Sequence, residues 1–410
     1  MEPQIDKHVL ANGMVLLGEP MAGVESVAFD FMLPMGAARL PEGVCGAANV
    51  AADWIFRGAG GRDSRALGDA LDGLGLHRID SVGSSHLILG AVLESSNLAD
   101  ALALYADVLL NPLLSDEQFA AARQLATEGV LALADEPRQQ VMLKLRERFY
   151  PSPLGRSTVG EIEQLERLTP EVVRELLKTS LDPSQTIFTV AGKYDFDAVR
   201  SQVESLFGGC EPVARTEPSL TARAGRYVHI PNDGAQVHIG LMTDAVKFTD
   251  EDYYYARLAT SVLSGGMSAR LFTEVREKRG LCYAIGARYH SLKEAAGLMC
   301  YAGTTPEKAQ ETLDVIVAEF QRLAEGITPE ELERAKVGLK SSLIMQSESS
   351  GSRAGAIGSD HYMLGRVRSL DEIKERIEAA GVEDILDSLK RHPFQEFTVV
   401  TIGPREVRFE

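Results

Sequence analysis

Cysteine is scarce and scattered: Cys45, Cys210, Cys282 and Cys300 are the only four in 410 residues, and no two stand in a Cys-x-x-Cys pair. That excludes a zinc ribbon and a disulfide framework, and the four read as reduced thiols. Positive charge is also short. The 42 Lys and Arg stand against 59 Asp and Glu, a formal net charge of −17. Nucleic acid and anionic membranes select basic patches, so neither is expected as the main partner. No uncharged apolar run reaches the roughly 18 residues that span a membrane. The first residues, Met-Glu-Pro-Gln-Ile-Asp-Lys-His, lack a basic region followed by an apolar core, so no signal peptide is read. A cytoplasmic location is expected, or a periplasmic one if the sequence is a trimmed mature form.

What is present is ordinary globular composition, 45% hydrophobic and 25% charged. The length exceeds what a single core usually holds, so at least two domains are expected. Two halves repeat one plan. Residues 24–34 and 236–243 alternate as strands, each followed by helices, at 44–57 and 64–74 in the first half and at 250–263 and 269–278 in the second. Strand pairs at 77–93 and 282–302 come next, then long amphipathic helices led by 98–110 and 306–323. Near the end of each half a helix leads to a strand that closes on Gly192 or Gly403. The pattern predicts an α+β fold of two homologous domains, each a mixed, mostly antiparallel sheet covered by helices. The expected division is 1–208 and 226–410, joined by a Gly/Pro/Thr/Ser/Arg-rich linker at 209–225.

The most telling stretch is Gly46-Ala47-Ala48-Asn49-Val50-Ala51-Ala52-Asp53-Trp54-Ile55-Phe56-Arg57-Gly58. It resembles the inverted zinc helix of the pitrilysin/insulysin (inverzincin) metallopeptidases, whose pattern is Gly-x-x-His-x-x-Glu-His. Residues four apart share a helix face, so positions 49 and 53 can converge on one ion. A hydrolytic zinc site needs three protein ligands, a bound water and a carboxylate base. Here Asn49 and Asp53 stand where the resemblance places the two histidines, and Ala52 where it places the base. The family's third ligand is a glutamate before an Asp-x-Pro step, which falls on Gly129, counting back from Asp135; Glu128 lies about 100° away around the helix. None of the eight histidines, including His77, His86, His229 and His238, stands at ligand spacing for a substitute site. No metal is expected in this chain, and the resemblance implies zinc in a partner subunit instead.

The second half carries Gly265-Gly266-Met267-Ser268-Ala269-Arg270-Leu271-Phe272, then Arg276-Glu277-Lys278-Arg279-Gly280-Leu281-Cys282-Tyr283. This is close to the same family's Gly-Gly-Met-Ser-x-Arg-Leu-Phe and Arg-Glu-Lys-x-Gly-x-x-Tyr. By that resemblance Arg276 holds a substrate backbone carbonyl, and Tyr283 donates its phenolic hydrogen toward the oxyanion at the scissile carbonyl. The alternative is a solvated Arg276 and an inward-facing strand tyrosine. The Gly-Gly turn lacks Gly-x-x-x-x-Gly-Lys and is not read as a phosphate loop.

The resemblance, which reaches nearly the whole chain, implies the metal-free subunit of a two-chain zinc endopeptidase related to mitochondrial processing peptidase. Its partners would be a zinc-binding subunit of the same family and an unfolded peptide. A catalytically inactive homodimeric peptide-binding or scaffold protein on the same fold is the second reading.

Overall fold

A computed structural model describes residues 5–213 and 219–409; the linker expected at 209–225 therefore includes residues, 214–218, that lie outside the described ones. The chain opens with β1 (Asp6–Val9), β2 (Val15–Pro20), β3 (Ser26–Leu33) and α1 (Ala47–Trp54). The short strands β4 (Gly58–Ala59) and β5 (Arg62–Asp63) precede α2 (Ser64–Gly73), β6 (His77–Val82) and β7 (Leu87–Glu94). Five helices come after them: α3 (Leu98–Leu110), α4 (Asp116–Leu131), α5 (Pro137–Phe149), α6 (Ile162–Arg167) and α7 (Pro170–Ser180). After β8 (Ile187–Gly192) and α8 (Phe196–Phe207), the second sheet begins with β9 (Tyr227–Pro231) and β10 (Val237–Asp244). Next come α9 (Tyr253–Ser264), β11 (Cys282–Ser291), β12 (Ala296–Thr304), α10 (Ala309–Arg322) and α11 (Pro329–Ser347). The chain ends with α12 (Ser350–Leu364), α13 (Leu370–Ala379), α14 (Val382–Arg391) and β13 (Phe397–Gly403).

The fold is α+β and the same sheet topology occurs twice. The first sheet runs β1-β2-β8-β3-β7-β6 and the second β11-β12-β10-β13-β9. Leaving out β1 and reversing one order, the strands correspond one to one. Each sheet has a single parallel pair, β2 with β8 and β13 with β9, and is otherwise antiparallel.

The chain forms two compact units that do not simply follow its halves. The first contains Met1–Ala132, Arg156–Ser219 and Gln346–Arg368; the second contains Leu133–Gly155, Leu220–Met345 and Ser369–Glu410. Thus α12, from late in the chain, packs on β2, β3 and β8, while α5, from the first half, packs on β10 and β13. The physical cause is visible in β3, Ser-Val-Ala-Phe-Asp-Phe-Met-Leu, which is buried along nearly its whole length. Phe29 and Phe31 point into the main core with Trp54, Tyr105 and Phe188. Ala28 and Met32 point the other way, into the contact with Ala354 and Ile357 of α12. A sheet apolar on both faces needs cover on both.

Helix α12 lies close because it presents glycine: a Cβ at Gly358 would come within 2.6 Å of Met32 Sδ. Its polar anchor is buried. Arg353 donates from Nε and Nη2 to both carboxylate oxygens of Glu19 at 2.6–3.0 Å. Asp30, on β3 near Gly355 of the same helix, is buried with an Oδ1 that has no hydrogen-bond partner among the described residues. Burial alone pushes its carboxyl up to about 6.

Candidate functional site

In the first unit, Gly46 caps α1 with φ of 97°, and a Cβ there would run into Leu165, so the turn requires glycine. Six of the eight residues of α1 are buried: Ala47, Ala48, Val50, Ala51, Ala52 and Trp54. The exceptions are Asn49 and Asp53, half-buried on one face. Asp53 is already engaged, because Arg57, one turn on, donates from Nε to its carboxylate. Arg57 also reaches Gln118 Oε1 on α4 at 3.3 Å. Asn49 presents a buried Oδ1 with no partner, a single neutral acceptor.

Helix α4 packs against α1. On it Gly129 is exposed, with open space where a side chain would be. Glu128 is exposed and accepts from Gln124 Nε2 at 2.8 Å. The donor set is therefore one amide, one carboxylate neutralised by a guanidinium, and one solvated carboxylate. These do not fit a catalytic zinc ion, and Ala52 leaves no base beside them. Among the described residues, the one group of three potential ligands drawn from His, Cys, Asp and Glu is Asp250, Asp252 and His392, in the second unit. It already holds a cationic side chain: Arg391 Nη2 binds Asp252 at 2.6 Å.

In the second unit, α9 ends at Ser264 and the Gly265-Gly266 turn leaves Met267 75% exposed. Arg270 fastens the segment after this turn. It binds Glu331 on α11 with Nε and Nη2, both at 2.7 Å, and donates to the Gly326 carbonyl at 2.7 Å. The helix expected over 269–278 is a π-helical turn at Phe272–Glu277, where the Lys278 N–H bonds back to the Thr273 carbonyl. Widening the turn changes the direction of the residues inside it, and such turns recur at functional sites.

Arg276 sits in this turn with its guanidinium 4.8 Å from the centre of the Phe272 ring. Its side chain makes no hydrogen bond or ion pair with any described residue. Neighbouring charges behave differently: Lys278 and Arg279 bond Glu274 at 2.6 and 2.8 Å and hold its carboxyl below the usual range.

Gly280, at φ of 57°, turns the chain into β11. The ladder with β12 slips between Cys282 and Ala284, so Tyr283 occupies a bulge and is 67% exposed. Bulges re-aim side chains. Burial pushes the Cys282 thiol up, and the Arg276 guanidinium partly opposes that, which puts the cation close to the start of β11. Two backbone irregularities, a π turn and a bulge, thus present an unpaired cation and an unpaired phenol a few residues apart. Tyr283 is not the inward-facing strand aromatic of the alternative reading. Sequence reading missed the Arg270–Glu331 clamp; the ring beneath Arg276 was legible as an i, i+4 pair.

Comparison with known proteins gives a consistent picture. Residues 167–339 match the family model described as the peptidase M16 inactive domain. Proteins of Rickettsia bellii (strain RML369-C) and Rickettsia felis (strain ATCC VR-1525 / URRWXCal2), both named uncharacterized zinc protease, are each 26% identical to this chain. The first match covers 99% of both chains and the second 100% of both. A Bacillus subtilis (strain 168) protein described in the same words is 25% identical over 98% of each. Among solved structures, the peptidase M16 inactive domain from Pseudomonas fluorescens is similar at a TM-score of 0.89 and 19% identity, over 99% of this chain and 100% of that one. A protease from Helicobacter pylori gives 0.89 at 18% identity, over 98% and 99%. At these identities the two structures show the shared fold.

Proposed function

Taking as premise that the chain belongs to the peptidase M16 family, we propose that it is the non-catalytic subunit of a two-chain zinc endopeptidase. A partner of the same family with an intact zinc helix supplies the metal and the base. This chain supplies Arg276 and Tyr283 and part of the surface that binds an unfolded peptide, which adds as a strand to a sheet edge. In that role Arg276 donates to a substrate carbonyl, and Tyr283 donates to the oxyanion that forms at the scissile carbon. A fixed donor aimed at developing charge contributes roughly 10² to 10³ in rate.

One contrast carries the reading. At α1 the remaining polar groups are neutralised inside the chain or lack metal-binding chemistry, whereas Arg276 and Tyr283 are exposed and unpartnered. Among the described residues no helix is long and apolar enough to cross a membrane; a cytoplasmic site of action is part of the proposal.

The test is peptide hydrolysis by the cognate zinc subunit, alone and in an equimolar mixture with this chain. A gain on mixing that is lost in Tyr283→Phe is expected. Equal rates with and without this chain would sink the proposal and leave the inactive homodimeric scaffold.

A further inference from the structure

The face of the second sheet that α5 covers carries positive charge without an answering acid among the described residues. On α5, Arg146 precedes Tyr150 by one helical turn. On β11, Arg288 precedes His290 by two residues, which puts both on one face of the strand. The two elements are tied at their ends, because Tyr150 Oη lies 2.7 Å from His290 Nδ1 and 3.3 Å from the His290 carbonyl oxygen. One turn back along the helix and two residues back along the strand, Arg146 and Arg288 fall at the same level of that face. Their electrostatics agree. Burial and then Arg288 lower the proton affinity of Arg146, and burial together with the two guanidiniums pushes His290 down to about 4.

Neither cation has a carboxylate among the described residues. Arg146 is half-buried and makes no side-chain hydrogen bond or ion pair with any of them. Arg288 is exposed and has only the weak acceptor Met299 Sδ, at 3.4 Å from Nε. The acids that could have answered them are engaged elsewhere, Glu147 by Lys144 at 2.8 Å and Asp244 by Arg223 at 2.7 and 2.9 Å. Burial and the neighbouring Arg288 both disfavour the charged form of Arg146, and an anion bound between the two guanidiniums would offset that.

We propose that Arg146 and Arg288 form an oxyanion-binding site on the α5 face of the second sheet, which takes a carboxylate or phosphate group in the fork geometry that guanidinium favours. Arg288 is the accessible member and meets the ligand first; Arg146 closes on it from the helix. The site is separate from Tyr283, which lies five residues earlier on the same strand, about 17 Å at the usual rise. Binding there needs neither zinc nor a partner subunit.

Titration calorimetry on the full chain tests this with two kinds of probe. One is inorganic phosphate. The other is a short C-terminally amidated peptide with a single Glu, set against its Gln twin. Saturable binding of phosphate or of the Glu peptide is expected, with no response to the Gln twin. Arg288→Gln and Arg146→Gln should each weaken the binding about tenfold or more. Response to phosphate alone identifies a phosphate ligand, and response to the Glu peptide alone identifies a carboxylate. Arg288 is exposed, so Arg288→Gln keeps the fold and carries the test if Arg146→Gln melts early. Absence of saturation by either probe, or wild-type affinity in the Arg288→Gln variant, overturns the proposal.

Discussion

The α1 face of the first unit and the Phe272–Tyr283 segment of the second are the two segments on which the proposed function rests, and the structure treats them in opposite ways. At α1, Asp53 turns inward to Arg57, one turn further along the chain, and Ala52 adds only apolar surface. At the second segment, Glu274 gathers Lys278 and Arg279, while Arg276 and Tyr283 are held out by irregular backbone. The two segments therefore differ in how their charged groups are satisfied. At α1 only the charged group is satisfied internally, since Asn49 keeps a buried Oδ1 without a partner among the described residues, whereas the proposed substrate-side pair Arg276 and Tyr283 is exposed and unpaired.

Four substitutions break or sharpen that contrast. The largest effect is expected at the frame that holds the first unit. Arg353→Ala leaves Glu19 buried without its cation and should cost about 3–5 kcal/mol in denaturant unfolding. A loss under about 1 kcal/mol would mean that α12 is not a required part of that unit. Next comes Tyr283→Phe. In the mixture with the zinc subunit it should lower kcat by about 10² to 10³, yet change the stability at this exposed position by less than about 0.5 kcal/mol. Loss of stability instead of rate would make it a structural residue.

Asp30 comes third. Its folded carboxyl titrates at about 6 against an ordinary 3.8, so the folded state keeps a proton over that interval while the unfolded chain has lost it. The stability this provides is full below about 3.8 and is lost as pH rises through about 6, a span of about 3 kcal/mol. Asp30→Asn should flatten this slope and be the more stable protein at pH 8; unfolding curves across that pH range decide it. The smallest effect is Asp53→Ala, which removes a half-buried i, i+4 pair worth about 0.3–1 kcal/mol. Zinc content, measured by elemental analysis before and after, should not change. A fall would restore Asp53 as a ligand.

Much of the fold was legible because its signal is local. Alternation pointed to β3 and β10, although β3 proved buried on both faces, and the hairpins β6–β7 and β11–β12 fell where the paired strands were expected. The equivalence of the two sheets came from the same order of elements read twice. The exchange of α5 and α12 was not legible. Both are helices with apolar positions to bury, and nothing in such a pattern says which sheet will receive them; that is settled by which sheet face is left uncovered.

The same division applies to the functional residues. Residue types alone determined that α1 carries no set of zinc ligands and no base, since no folding can give Ala52 a carboxylate or Asn49 an imidazole. They also placed Arg276 and Tyr283 in a recognisable order. Only the tertiary structure decided that a π turn and a bulge expose Arg276 and Tyr283, and that Arg146 and Arg288 share one face of the second sheet with no acid bonded to either. Chemistry is a property of side chains and is written in the sequence. Availability depends on neighbours brought together from distant segments, and those are fixed by packing.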